Sequence, residues 1–356
     1  MEKEKEKNKE LIIAPLSNVP NLDLFLDQLD ENDTLFIDPT KIKRKKNFKI
    51  IYESELADII ICKSMEDLIT KKTKGRSLAY YKKVFSNEDI SDLENAIYNG
   101  ANYIIVDAPD WKIIPLENII ANLQNRRAKI FTTAKNSEEV RTMFAVLELG
   151  VDGVILSTAN VKEIEESKQY LQDKKFEIKV CEIVDFRDIG RGERVCVDTV
   201  SMLETGEGML VGSKSNFLFL LHNESAGSSF TSPRPFRVNA GAVYCYTILP
   251  NGKTTYLSEL ESGTEIYIVN KEGRSRLVSV GRSKIETRPL RLIKAIGNNT
   301  EGTVIVQNAE TIQLIRDTGE LLPVTSIKQG DKILGYFKPS SGRHFGVEVE
   351  EYILEK

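Results

Sequence analysis

The alternation running through residues 11–183 constrains the fold most. Short, nearly continuous apolar runs rich in β-branched residues are each followed by an amphipathic stretch of roughly 10–14 residues. The runs include residues 34–38, 57–62, 102–107, 128–133 and 152–156. Runs with no polar alternation suit strands buried on both faces. The stretches between them carry helix signals. Ser137-Glu138-Glu139 opens one in which Val140, Met143, Phe144 and Leu147 recur at helical spacing, and Gly150 provides a stop. Pro115 opens a second over 116–124, where its missing N–H costs little, and Asn160 precedes a third over 161–171. Strands alternating with helices predict βαβ units and a parallel sheet. Five or six such units suit an open sheet or a partial barrel equally.

The pattern changes after residue 184. Long helical windows give way to short alternating runs, such as 242–249, 254–260, 265–269, 303–307 and 332–337, separated by Asn251-Gly252, Glu272-Gly273 and Thr318-Gly319. Asn-Gly between two such runs predicts a two-residue hairpin loop. The expected fold class is therefore α/β. Parallel βα units occupy 11–184, a β-rich C-terminal domain carrying most of the site occupies 185–356, and residues 1–10 form a charged tail. The length of 356 residues accommodates two domains at about 100–200 residues each.

Composition narrows the function. Charged residues make up 29% of the chain, and no window reaches the roughly 18 uncharged apolar residues of a membrane span. The formal net charge of −4 argues against a nucleic-acid binder, which usually needs a broad basic excess. Cys62, Cys181, Cys196 and Cys245 form no CxxC pair, so free buried thiols and a reducing, cytoplasmic setting are expected. The opening Met1-Glu2-Lys3-Glu4-Lys5 has no apolar region and does not read as a secretory signal. A homo-oligomer is compatible with all of this.

Polar residues crowd into 198–239. Gly206, Gly208 and Gly212 lie in a GxGxxxG spacing ending at Ser213, and a strand-like run follows instead of a helix. That is not a dinucleotide fingerprint, which needs a helix N-terminus facing the pyrophosphate. Two readings remain: tight turns between strands, or a loop whose N–H groups hold a cofactor phosphate. In Ser232-Pro233-Arg234-Pro235-Phe236-Arg237-Val238-Asn239, two prolines stiffen the backbone around two arginines. Such arginines suit bidentate capture of a carboxylate or phosphate, or else pair with structural carboxylates. His222 precedes Glu224 by two residues. If the strand continues, both face one way and could share a proton or a divalent ion. Lys284, Glu286 and Arg288 would share one strand face, as a solvated edge or as an active-site wall with Lys284 as base or Schiff-base amine. Gln307 and Asn308 interrupt an apolar strand and need partners if buried.

Taken in order, Gly192-Glu193-Arg194-Val195-Cys196-Val197-Asp198-Thr199, the stretch 206–213, Arg234-Pro235-Phe236-Arg237-Val238-Asn239-Ala240-Gly241, Lys284-Ile285-Glu286, Gln307-Asn308-Ala309-Glu310-Thr311 and Arg343-His344-Phe345-Gly346 resemble the archaeal-type 3-dehydroquinate synthase (dehydroquinate synthase II) family. Trp111-Lys112-Ile113-Ile114-Pro115 and the closing Leu354-Glu355-Lys356 are similar too. The resemblance implies NAD-dependent oxidative deamination of a C7 amino-keto acid, 2-amino-3,7-dideoxy-D-threo-hept-6-ulosonate, with ring closure to 3-dehydroquinate in aromatic amino-acid biosynthesis. On that footing Arg234, Arg237, Arg288 and His344 anchor the substrate, and Asn239, Gln307 and Asn308 offer fixed donors to oxyanion charge. His222, Glu224, Lys284 and Glu286 are the catalytic candidates, and Gly206, Gly208, Gly212 and Ser213 those for NAD. A divalent metal, Mn or Mg, would fall to His222 and Glu224. The chain departs from the family where His222-Asn223-Glu224-Ser225 replaces His-Ser-Glu-Thr and Val243-Tyr244-Cys245-Tyr246 replaces Val-His-Ala-Tyr. Ile285-Glu286-Thr287-Arg288-Pro289 is closer to the branch that makes 3-amino-4-hydroxybenzoate from a phosphorylated C7 substrate with a metal and no net oxidation. A non-catalytic binding relative is a third expectation.

Overall fold

The computed structural model describes residues 9–42, 46–72, 75–86, 88–108, 113–123, 127–146, 150–171, 174–227 and 231–338, and the backbone of 342–344 and 347–349. The chain divides into two compact units, Met1–Gln172 and Asp173–Lys356.

The first unit is a closed barrel of eight parallel strands. They are β1 (Glu10–Pro15), β2 (Thr34–Phe36), β3 (Lys49–Tyr52), β4 (Ile59–Cys62), β5 (Ser77–Lys83), β6 (Tyr103–Asp107), β7 (Lys129–Ala134) and β8 (Gly153–Thr158). The helices among the described residues are α1 (Leu22–Asp27), α2 (Met65–Lys72), α3 (Glu88–Tyr98), α4 (Ile113–Leu123), α5 (Ser137–Phe144) and α6 (Val161–Lys168). Strands pair in sequence order, and β1 returns to β8 with Ile12 opposite Ile155, so the sheet is neither open nor a partial barrel but closes, with eight strands where five or six were expected. Strand residues alternate between two cores. Ile12, Ile51, Ile59, Ile61, Ala79, Ile105, Phe131 and Ile155 fill the barrel interior. Their neighbours, such as Ile13, Ile60, Ile104 and Val154, meet the helices outside. A Cβ at Gly153 would stand 2.4 Å from the Phe131 ring, so this glycine makes room for the largest interior side chain. Asn160 caps its helix as expected, accepting from Lys162 N–H, and the helix opened by Ser137 is capped one residue earlier, by Asn136, which accepts from Glu139 N–H. Helix α4 starts two residues ahead of Pro115, which sits in the first turn, where no intrahelical N–H bond is lost.

The second unit is built of β9 (Lys179–Thr199), β10 (Glu207–Lys214), β11 (Phe217–His222), β12 (Arg237–Ala242), β13 (Tyr246–Ile248), β14 (Thr254–Tyr256), β15 (Glu265–Asn270), β16 (Ser275–Gly297), β17 (Thr300–Gln307), β18 (Gln313–Ile315), β19 (Leu321–Pro323) and β20 (Lys332–Phe337). These twelve strands form one sheet, and β21 (Gly342–His344) with β22 (Val347–Val349) makes a separate ribbon. The β-rich segment thus begins at Lys179, ahead of the residue 185 expected from the sequence. Strand β10 pairs with both β11 and β15, which closes a ring β10–β15–β16–β9–β20–β11 around an apolar core that includes Val195, Val197, Phe217, Phe219 and Ile293. The two long strands β9 and β16 run antiparallel almost throughout, with β12 on the far edge of β9 and β17 on the far edge of β16. The Asn251-Gly252 hairpin forms, with Gly252 at φ +77°, but its loop runs from Leu249 to Lys253 because Asn251 accepts from Lys253 N–H and Leu249 N–H donates to Lys253 O. No helix among the described residues is long and apolar enough to cross a membrane.

Candidate active site

Strand alternation places Val195 and Val197 in the core and sends Arg194, Cys196 and Asp198 to the opposite face of β9. Register then sets their neighbours. Arg237 on β12 and Arg282 on β16 flank Asp198, Asn239 and Lys284 flank Cys196, and Glu286 lies opposite Arg194. Three strands therefore present three consecutive polar rows about 7 Å apart.

Hydrogen bonds bind these rows into two groups. Arg194 Nε donates to Gln307 Oε1 at 2.7 Å, and its Nη2 lies 3.1 Å from Glu286 Oε2. Glu286 Oε1 meets Lys284 Nζ at 3.0 Å and Arg288 Nη2 at 2.9 Å. Asn239 Nδ2 also donates to Gln307 Oε1, at 3.0 Å. In the second group, Arg237 grips both oxygens of Asp198 at 2.6 and 2.9 Å, and Arg282 donates to Oδ2 at 2.5 and 2.9 Å. Cys196 sits between the groups and takes an N–H from Arg194.

The electrostatics follow from this placement. Burial would push the Asp198 carboxyl up, but the two guanidinium groups outweigh it and hold the group below the ordinary carboxylate range. Glu286 is held low by Lys284, then Arg194 and Arg288. Burial pushes the Cys196 thiol up to about 11 against the pull of Arg194, so it stays protonated near neutrality and is no nucleophile. Among the described residues, Arg194, Arg237, Arg282, Lys284 and Arg288 form ion pairs with two carboxylates, Asp198 and Glu286, and the charge of Glu224 also bears on Arg237. In a chain of net negative charge this is a local cationic site. Arg282 and Lys284 are 62% and 46% exposed, so their remaining donors face outward. Asn239 Oδ1 is buried and unpartnered. Gln307 is oriented by Arg194 and in turn fixes the Asn239 amide, so Oδ1 is left as an acceptor for a donor that no described residue supplies.

The other expected residues lie around this face or apart from it. Glu224 N–H donates to Arg237 O at 2.7 Å, and the charge of Glu224 bears on Cys196 and Arg237. Its carboxylate is paired with Arg234 at 3.3 Å, so Arg234 serves first as a structural partner. The expected His222–Glu224 pairing is corrected. Strand β11 ends at His222, the chain turns, and the two side chains take different partners. His222 Nε2 accepts from Gly206 N–H at 2.8 Å, and burial lowers its pKa to about 4, opposed only in part by the Asn223 backbone. It is therefore neutral near pH 7. Among the described residues no three His, Cys, Asp or Glu side chains gather to hold a metal ion. Asn308 alternates to the face opposite Gln307 and donates to Asp188 Oδ1 at 3.1 Å, where Arg291 also binds. The side chain of His344 and the motif residues Trp111, Lys112, Phe345, Gly346, Leu354, Glu355 and Lys356 lie outside the described residues.

The glycine segment does not fit a phosphate cradle. The amide of Gly206 is taken by His222, and Gly208 sits in a ladder between His222 and Val269. A Cβ at Gly208 would meet Leu221 O at 1.9 Å, and one at Gly212 would meet Phe217 O at 2.1 Å. These glycines let β10 and β11 approach closely. Ser213 shares a 3.1 Å hydrogen bond with the Tyr244 hydroxyl, at the position where the family pattern has histidine. Sequence reading missed Arg194, Cys196, Asp198 and Arg282. The signal was present, since 194, 196 and 198 alternate with valines inside a quoted motif.

The fold is that of a two-unit protein: a closed parallel eight-stranded barrel followed by a strand-rich unit that carries a cation-rich polar face. The chain belongs to the 3-dehydroquinate synthase II family. That family's N-terminal domain matches residues 25–171 and its C-terminal domain residues 180–356. A protein from Nitrosopumilus maritimus named 3-dehydroquinate synthase is 49% identical over 354 residues, covering 98% of this chain and 99% of that protein. Proteins of the same name from Cenarchaeum symbiosum and Methanocaldococcus jannaschii are 47% and 41% identical, covering 91% and 90% of this chain and 94% and 90% of their own lengths.

Proposed function

We propose that this chain is a 3-dehydroquinate synthase that oxidatively deaminates 2-amino-3,7-dideoxy-D-threo-hept-6-ulosonate and closes the ring. The observation that carries the reading is the cation-rich face with the unpartnered Asn239 Oδ1 at its centre. A substrate with one carboxylate, several hydroxyls and an amine matches it. The outward-facing Arg282, Lys284 and Arg288 take the carboxylate, and Asn239 Oδ1 accepts from a hydroxyl or the amine. Arg237, whose Nε and Nη2 are taken up by Asp198, positions that carboxylate. Arg194 and Gln307 hold the amide in line. Removing the amine by oxidation takes two electrons from the carbon that bears it, and NAD is the acceptor that the family reading supplies. Residues 206–213 are not its cradle.

The test is to incubate the purified chain with the amino-ulosonate and NAD while following reduced nicotinamide and released ammonia. The expected result is one ammonia per NADH, with 3-dehydroquinate as product. Absence of NADH under every divalent-metal condition would defeat this reading. Turnover of the phosphorylated substrate with manganese and no cofactor reduction would replace it with the aminohydroxybenzoate-forming reaction. Binding without any product would make the chain a non-catalytic relative.

A further inference from the structure

A second set of titratable side chains lies at the C-terminal ends of the barrel strands. Ala79 and Tyr81 of β5 point into the barrel, so Lys83 faces the same way one step further toward the mouth. In register it stands beside Asp107, the last residue of β6. Tyr81 Oη donates to Asp107 Oδ2 at 2.6 Å. Lys63, just past β4, meets Glu53, just past β3, at 2.5 Å. Burial first, then Asp107 and Glu53, hold the Tyr81 phenol above its ordinary range, so it keeps its proton and Glu53 belongs to the same cluster. Thr133 and Ser157 occupy the same layer, two residues beyond Phe131 and Ile155 of the interior.

Below this layer the barrel is closed by packed apolar side chains. At the opposite end Lys129 pairs with Glu10, and Lys49 lies 3.9 Å from the same carboxylate. Among the described residues, the C-terminal layer carries polar side chains with hydrogen-bonding groups to spare. Lys83 is exposed and makes no ion pair with a described residue, and the hydroxyls of Thr133 and Ser157 bond to none. Parallel barrels bind small ligands at this face, because the loops that can vary lie there while the strands hold side chains rigidly.

We propose that the barrel mouth is a binding site for a small hydroxylated carboxylate. Lys83 holds the carboxylate. Tyr81 Oη, whose own proton goes to Asp107, accepts from a ligand hydroxyl, and Thr133 and Ser157 bond further hydroxyls. Asp107 is a positioning residue, since it acts through Tyr81. The choice of 3-dehydroquinate as probe rests on the reaction proposed above.

The experiment titrates 3-dehydroquinate into the full chain by calorimetry, for the wild type, Lys83→Ala and Tyr81→Phe, and measures KM and kcat for the amino-ulosonate in parallel. Both substitutions sit at an exposed or half-buried rim, and circular dichroism confirms that each variant folds. The expected result is a loss of affinity of about tenfold or more in each variant. Wild-type affinity in both, or no binding by the wild type at millimolar ligand, overturns the site. Binding that depends on Lys83 and Tyr81 in a chain that turns nothing over keeps the site and removes the reaction.

Discussion

Arg194 and Asp198 are charged, buried and central in a sheet. They are tolerable there because each is met by partners of opposite charge from neighbouring strands. Removing one partner is the costly change. Asp198→Asn leaves Arg237 without its bidentate carboxylate and is expected to lower stability by about 3 kcal/mol, read from the urea midpoint at constant m. His222 gives the pH dependence. The imidazole titrates at 6.5 in the unfolded chain and near 4 in the fold. Between those values the unfolded chain takes up a proton that the fold does not, so falling pH favours unfolding. The contribution is complete above 6.5 and lost as pH falls to about 4, with a ceiling of about 3 kcal/mol. In His222→Gln the urea midpoint should fall less steeply than in wild type across that window, the remaining slope coming from carboxylates such as Glu286 near its lower end; a slope equal to wild type would show that another group is responsible. Of these residues, the sequence shows that Lys284, Glu286 and Arg288 share a face, because that follows from a period of two. It does not show that Glu286 meets Arg194, because that depends on a register between strands some ninety residues apart.

At the scale of elements, five barrel strands and three helices were legible because their apolar runs and caps are local signals. Closure was not, since the β1–β8 pairing joins residues at opposite ends of the unit and leaves no mark in either. The GxGxxxG spacing shows the converse limit. Spacing alone does not separate a cradle from a tight strand pair, and the structure does so through the space beside each glycine. Gly208→Ala places a methyl group against Leu221 O and should destabilise the β10–β11 pair by about 2–4 kcal/mol. The expected observation is a lower melting temperature in the absence of any cofactor. An unchanged melting temperature with a raised KM for NAD would restore the cradle.

At the scale of the molecule, each unit has a core of its own. Helices cover the outside of the barrel and Phe131 anchors its inside, while an apolar ring core supports the sheet unit. A single melting temperature is therefore not guaranteed to describe the chain. Phe131 is fully buried, stacks at a tilt against Tyr103 with centroids 5.2 Å apart, and lies over Gly153, which has no side chain with which to fill the gap. Phe131→Ala should then cost the barrel about 3–5 kcal/mol, because the site cannot collapse around the void. For a unit of this length that is a shift of about 10 °C. Differential scanning calorimetry should show an endotherm that falls by that amount, with a second, assigned to the sheet unit, holding its position. If one endotherm shifts as a whole, the two cores unfold together, and every stability difference measured in either unit must be referred to the complete chain.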